Sequence, residues 1–208
     1  MRIVLISDTH NRHDGIQLPE GDMLIHSGDF SGRGLEREVI DFLHWFGKQP
    51  HRHKVLIAGN HDFLAEKNPG LFASLIPEGV TYLNDSGAEI EGLKIWGSPI
   101  QPWFYDWAFN RQRGADIARH WELIPADTDI LVTHGPPFGI LDKVENGPHV
   151  GCEELLKKIE SVQPRLHVFG HIHEGHGELQ VGKTKFVNAS VLNAKYMLVW
   201  DATEVELG

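Results

Sequence analysis

The sequence predicts an α/β fold in which two β-sheets lie face to face with helices on the outside. Two observations predict it. Short apolar runs of strand length alternate with amphipathic segments of helix length through most of the chain, and a last group of strand-like runs follows without intervening helices. The first pattern builds a largely parallel sheet, and the second calls for another. No repeat, low-complexity tract or Pro/Gly/Ser-rich linker interrupts the 208 residues, so 1–208 reads as a single domain.

In chain order, the runs Arg2–Ser7, Asp22–Ser27, Lys54–Ala58, Val80–Leu83, Leu93–Gly97, Asp129–Thr133 and Leu166–Phe169 read as buried strands. Between them, Leu35–Gly47, Gly70–Leu75, Gly114–Leu123 and Cys152–Val162 carry helical spacing of apolar residues. The late runs Glu178–Val181, Thr184–Asn188, Tyr196–Trp200 and Glu204–Leu207 read as a meander.

Composition narrows the function classes. Hydrophobic residues at 41% and charged residues at 23% are ordinary for a globular chain, and no apolar run reaches the roughly 20 residues a membrane span needs. One cysteine, Cys152, excludes an internal disulfide and a thiolate-rich metal site. With no signal-peptide pattern at Met1–Asp8, the expected setting is the cytoplasm. A formal charge of −10 argues against duplex nucleic acid as a partner but leaves room for a small phosphate ester drawn to a local cationic centre. Histidine is the anomaly: 14 residues, more than packing or surface duty explains, of the type that most often binds metal.

Five polar clusters each follow an apolar run: Asp8-Thr9-His10, Gly28-Asp29, Gly59-Asn60-His61-Asp62, Thr133-His134-Gly135 and Gly170-His171-Ile172-His173. Strand ends deliver side chains onto loops around one rim of a sheet. If Asp8-x-His10 and His171-x-His173 continue their strands, period-2 alternation points both members of each pair the same way, so each pair can grip metal from one segment. Asp8, Asp29, Asn60, His10, His134, His171 and His173 make a mixed oxygen/nitrogen donor set that suits Mn, Fe or Zn rather than Ca or a structural zinc. Taken singly, Asp-x-His or Gly-Asp is a common loop accident; the ordered series is not.

That series resembles the calcineurin-like metallophosphoesterase superfamily from residue 3 to about 200. Thr133-His134-Gly135-Pro136-Pro137, Phe169–Gly175, Asn188-Ala189-Ser190 and the stretch Gly97–Asn110 resemble its metallophosphoesterase-domain-containing branch, which is related to class III cyclic nucleotide phosphodiesterases. The resemblance implies a four-layer αββα sandwich of two mixed sheets flanked by helices, with two divalent metal ions, Mn²⁺ foremost, at the strand-end rim. It implies that Asp8, His10, Asp29 and His173 hold one ion and that Asp29, Asn60, His134 and His171 hold the other. Two divalent ions give +4, Asp8 and Asp29 subtract 2, and a bridging hydroxide leaves a net of about +1, an anion trap able to activate water for in-line attack.

By the same resemblance His61 lies beside the phosphate, as an acid or a stabiliser of developing charge, and Asp62 fixes its tautomer. Arg33, in Gly28-Asp29-Phe30-Ser31-Gly32-Arg33-Gly34, matches a phosphate-gripping position of phosphoprotein phosphatases, and is otherwise a solvated loop residue. A second arginine of those enzymes is replaced here by Ala58, a loss that matters more for a doubly charged monoester than for a diester. Trp103 and Phe104, in an aromatic stretch with Trp107 and Phe109, either pack in the core or wall the cleft and stack on a base or aryl group. His26, His44, His51, His53 and His120 read as packing or surface residues, and at most one of His13, His149 and His176 is expected to face the site. The resulting expectation is a phosphodiesterase for small diesters, cyclic nucleotides included. The competing readings are a broad phosphomonoesterase or nucleotidase and a non-catalytic scaffold of the kind found in a retromer subunit; the full donor set argues against the scaffold.

Overall fold

The computed structural model describes residues 1–208. In chain order its strands are β1 (Arg2–Ile6), β2 (Met23–His26), β3 (His53–Leu56), β4 (Val80–Tyr82), β5 (Ser86–Ile90), β6 (Leu93–Ser98), β7 (Gln101–Pro102), β8 (Asn110–Arg111), β9 (Ile130–Thr133), β10 (Leu166–Phe169), β11 (Gly177–Val181), β12 (Thr184–Asn188) and β13 (Thr203–Glu206). The α-helices are α1 (Glu36–Gly47), α2 (Phe63–Lys67), α3 (Pro69–Leu75), α4 (Ala115–Glu122) and α5 (Glu153–Val162).

Two large mixed sheets result, one ordered β13-β1-β2-β3-β4 and the other β11-β12-β10-β9-β6-β5. In the first, β1 to β4 run parallel and β13 closes the edge antiparallel to β1. In the second, β6, β9, β10 and β12 are parallel, with β5 and β11 as antiparallel edges. The parallel strands are apolar on both faces because both faces are covered. Ile3, Leu5, Met23, Ile25, Val55 and Ile57 meet Ile95, Ile130, Val132, Leu166, Val168 and Val187 between the sheets. Their alternates point outward: Val4, Ile6 and Leu24 join Val39, Phe42 and Phe46 of α1, while Leu131 and Phe186 join Ile117 and Trp121 of α4 and Leu155 and Ile159 of α5. Each aliphatic side chain buried this way contributes about 1.5–3 kcal/mol.

The expected αββα layering is present, with two corrections. The late strands do not form a meander. Only β11 and β12 are a hairpin; Val205 of β13 has its apolar partners on β1, in the other sheet, so the chain crosses over to reach it. The segment 196–200 is not a strand. Apart from an isolated Leu192–Leu198 bridge it has no ladder, and Tyr196 and Val199 stay exposed. The short α2 and the edge strand β5, whose Ser86-Gly87-Ala88-Glu89 has little β-propensity, lack a readable sequence signal.

The two sheets are joined at one rim by a parallel bridge between Ser7, just past β1, and Ser190, just past β12. Close approach of the sheets also fixes Gly97 of β6: a Cβ there would lie 2.5 Å from the Leu83 Cβ and 2.8 Å from the Ile57 Cγ2. Gly97→Ala is therefore expected to overpack the inter-sheet core and to destabilise by about 1–3 kcal/mol. The urea midpoint should fall at an unchanged m-value; an unaltered midpoint would show that the sheets can part without cost.

Candidate metal centre

All of the candidate ligands stand on loops at the C-terminal ends of parallel strands, the rim where open α/β sheets bind ligands. Asp8 and His10 follow β1, Asp29 follows β2, and Asn60 and His61 follow β3. From the other sheet, His134 follows β9, and His171 and His173 follow β10. The seam of the two sheets brings them together in three trios whose donor atoms lie within 4.8 Å of one another: Asp8–His10–His173, His10–Asp29–His61 and Asp29–His134–His171.

Asp29 is the centre. Its Oδ2 lies 3.4 Å from the His134 Nε2, 3.7 Å from the His10 Nε2 and 3.9 Å from the His61 Nε2, while the His61 N–H donates to Oδ1 at 2.8 Å. Asp8 Oδ1 lies 3.6 Å from the His173 Nε2. Most of these spacings are too long for hydrogen bonds. They are close to what two donors sharing one ion at about 2.1 Å each would show, roughly 3.0–3.6 Å. The His10 Nε2 is buried with no hydrogen-bond partner, although it faces Asp29. A buried unpaired nitrogen among buried carboxylates fits a cation between them. Asn60 Oδ1 lies 2.9 Å from the His134 Nε2, adding an amide oxygen to the Asp29–His134–His171 trio.

Backbone carbonyls orient the imidazoles. His10 Nδ1 contacts Ser31 O at 3.2 Å, His134 Nδ1 contacts Ser27 O at 3.0 Å, and His173 Nδ1 contacts Asn193 O at 3.0 Å. Each Nδ1–H is thereby committed to a carbonyl, which leaves Nε2 as the lone-pair donor, the usual arrangement around a metal-binding histidine. The Ser190 Oγ donates to Asp8 Oδ2 at 2.6 Å, and the Asn188 Nδ2 donates to Ile172 O at 2.8 Å, holding the turn between His171 and His173. Two motif glycines make room: a Cβ at Gly59 would sit 2.3 Å from Asp29 Oδ1, and one at Gly170 would sit 2.0 Å from Asp8 Oδ2.

The reason given for the paired motifs needs correcting. Asp8 and His10 are not extended; their φ values are 55° and 38°, and Asp29 and His171 stand at 56° and 68°. β1 ends at Ile6, and left-handed residues, not strand alternation, aim the side chains. His171 and His173 likewise fall into different trios rather than gripping together. Such conformations cost of order 1–3 kcal/mol each and persist where surrounding bonds over-determine them.

Asp62 is also used differently. It accepts from the Gly59 N–H at 2.7 Å, the Asp29 N–H at 2.9 Å, the Ser31 N–H at 3.0 Å and the Ser31 Oγ at 2.6 Å, tying the β2 and β3 loops together. The His61 tautomer is instead set by Gly32, whose carbonyl accepts from Nδ1 at 2.7 Å, leaving Nε2 toward the centre. Trp107 stacks on the His61 ring at 4.1 Å.

Electrostatics follow from two buried carboxylates without a lysine or arginine partner. Burial opposes ionisation of Asp8, but neighbouring His173 and then His134 hold its carboxyl well below the usual range. Burial similarly opposes ionisation of Asp29, and His134 and His61 outweigh it. With protons as the only cations, burial pushes the His134 and His173 imidazoles down, yet Asp29 and Asp8 raise both to about 9. Burial takes His10 down to about 4 and His171 to about 3. His134 and His173 thus balance the two carboxylates, while His10 and His171 stay neutral.

A cleft of about 380 Å³ opens on the centre, walled by Trp103, Phe104, Trp107, Val144, Val150 and Tyr196. Trp103 and Phe104 are 51% and 55% exposed, so they belong to the wall and not to the core. Arg33 is absent from the cleft; its side chain is exposed and its N–H donates to Glu38 Oε2 at 2.9 Å. Arg113 is the one arginine or lysine lining it, and its guanidinium is engaged by the Val150 and Gly151 carbonyls at 2.7 and 2.8 Å. His13, His149 and His176 do not line the cleft. His26, read as packing, does more. The Gly28 N–H donates to its Nδ1 at 3.2 Å and Thr9 Oγ1 lies 3.1 Å from its Nε2, so one buried ring spans two ligand loops. Its spacing offers no sequence signal, because it lies within β2 like any core residue.

Residues 1–175 match the family described as Calcineurin-like phosphoesterase. Metallophosphoesterase domain-containing protein 1 of Homo sapiens is 47% identical over 95% of this chain and 68% of its own length. A UPF0046 protein of Caenorhabditis elegans is 41% identical over 97% of this chain and 79% of its own. Among solved structures, one chain superposes with a TM-score of 0.65 at 17% identity, covering 90% of this chain and 89% of that one. GAP50, the anchor in the inner membrane complex of Plasmodium, superposes with a TM-score of 0.51 at 8% identity over 92% of this chain and 71% of its own; both show the shared fold. The chain belongs to the calcineurin-like phosphoesterases, in the branch of the metallophosphoesterase domain-containing and UPF0046 proteins, and is a metal-dependent phosphoester hydrolase.

Proposed function

We propose that the chain is a dinuclear phosphodiesterase acting on small phosphodiesters, cyclic nucleotides among them. In this reading Asp8, His10, Asp29 and His173 hold one ion, and Asp29, Asn60, His134 and His171 hold the other. The position of Asp29, shared by two trios that use different histidines, supports this division. Two divalent ions, Mn²⁺ foremost with Fe or Zn suiting the same donors, supply positive charge and a water acidic enough to attack phosphorus near neutral pH. The protein's own contribution is placement. His61, held by Gly32 and by Trp107, presents Nε2 to the reacting phosphate as acid or charge stabiliser.

The observation that carries the diester preference is the cleft. Its apolar wall of Trp103, Phe104, Val144 and Val150 suits a second organic arm, and stacking of a base or aryl group there is worth about 1–3 kcal/mol. Its cationic grip is small, because Arg33 lies outside, Arg113 is engaged by carbonyls, and Ala58 is buried where a further arginine would be needed. A monoester near neutral pH carries close to two charges and is served poorly by such a wall.

Chelation should abolish hydrolysis and Mn²⁺ should restore it; full activity in chelated, metal-free protein would remove the two-metal mechanism. His61→Ala should keep both ions in elemental analysis yet lose roughly 10²–10⁴ in rate, whereas Asp29→Ala should lose metal. Because His61 also stands within reach of Asp29 and His10, metal loss from the His61 variant would make it a ligand instead. Finally, kcat/KM for bis(p-nitrophenyl) phosphate should exceed that for p-nitrophenyl phosphate at the same pH and Mn²⁺, and Trp103→Ala should reduce it for large diesters more than for small ones. A monoester turned over tenfold more efficiently would reassign the chain as a phosphomonoesterase.

A further inference from the structure

Tyr196 belongs to none of the sequence motifs, yet its ring covers one flank of the centre. It lies edge-on to His10 with centroids 4.8 Å apart, edge-on to His173 at 5.3 Å, and 6.4 Å from His61 across the cleft. The turn that carries it is built around Asn193. The Asn193 side-chain oxygen accepts from the Lys195 N–H at 3.0 Å and the Met197 N–H at 3.1 Å. Its carbonyl accepts from the Tyr196 N–H at 2.8 Å and from the His173 Nδ1 at 3.0 Å. The same residue therefore fixes the orientation of His173 and the position of Tyr196.

The turn holds Tyr196 at φ 58°, in the left-handed region that a bulky side chain seldom occupies. Such a conformation is costly and persists only where surrounding bonds over-determine it. Packing does not account for it. The residue remains 43% exposed, and an aliphatic side chain would cover the imidazole edges as well. The ring lines the cleft, and its hydroxyl finds no partner within the protein; a phenol is an O–H donor near neutral pH.

We propose that Tyr196 is a catalytic residue whose phenol hydroxyl donates a hydrogen bond to a non-bridging phosphoryl oxygen of the substrate, on the His10–His173 side of the centre. The inference rests on the reading of the cleft as the phosphoester site and deepens it. A neutral donor takes the place of the cationic grip missing at Ala58 and Arg33. It stabilises charge that grows on the phosphoryl oxygens without demanding a doubly charged substrate.

The test is Tyr196→Phe, which removes the hydroxyl and keeps the ring. Metal content is measured by elemental analysis, and binding of inorganic phosphate to the Mn²⁺-loaded protein by calorimetry. Turnover is measured on bis(p-nitrophenyl) phosphate and on p-nitrophenyl phosphate. The expected result is full metal content, phosphate affinity weakened several-fold, and kcat/KM lower by roughly 10–10² on both substrates, less than for an enclosed oxyanion-hole donor because the cleft is open. Tyr196→Ala should fall only a few-fold further. Phosphate affinity and turnover within twofold of wild type, or a loss in proportion to missing metal, would overturn the proposal. Failure of the diester reading is separable: wild type would itself prefer the monoester, while the phosphate affinity of the Phe variant would still fall.

Discussion

Two carboxylates buried without a fixed cation are the constraint on which this structure turns. Asp8 is fully buried and Asp29 is 2% exposed, and neither has a lysine or arginine beside it. Leaving two such charges uncompensated would cost several kcal/mol apiece. The surrounding arrangement, imidazoles aimed by backbone carbonyls with lone pairs turned inward, makes chemical sense as a receptacle for positive charge. It also accounts for an acidic protein handling anionic phosphate esters: attraction comes from a local centre and not from the net charge of −10.

The supporting shell is built largely from backbone. Asp62 accepts from three backbone N–H groups and one hydroxyl, and burial followed by the charge of Asp29 pushes its carboxyl up to about 7. It is a bracket between two loops rather than a partner for His61. His26 forms a second bracket, and Asn188 and Ser190 a third, reaching from β12 to the ligand loops of both sheets. These brackets hold Asp8, His10, Asp29 and His171 in left-handed backbone conformations that the isolated loops would leave. Because the brackets lie on or just past strands buried in the core, the geometry of the site inherits its rigidity.

The cleft divides into a polar floor and an aromatic wall from different parts of the chain. The floor is the strand-end rim, while the wall combines the loop between β7 and β8, the Val144–Gly151 segment clamped by Arg113, and the turn carrying Tyr196. A floor common to metal-dependent phosphoester chemistry and a wall supplied by loops is how one fold serves many substrates.

Much of this was legible in the sequence. Buried strands announce themselves as apolar runs, since parallel strands covered on both faces need nothing else. The polar residues that break those runs at their C-terminal ends mark the rim, which is why Asp8, Asp29, Asn60, His134 and His171 could be named from order and spacing. The sequence by itself determined the layers, the donor chemistry and the need for a cation. Tertiary structure decided which donors cluster, because His171 and His173, two residues apart, fall into different trios at a left-handed turn whose angles depend on bonds to Asp8 and from Asn188. It decided the roles of Asp62 and His26, which depend on atoms on neighbouring loops, and it moved Arg33 out of the cleft while bringing Arg113 and Tyr196 in. Local pattern records what each segment buries; it does not record what arrives from the other sheet, and at this seam the other sheet brings His134 to Asp29 and His173 to Asp8.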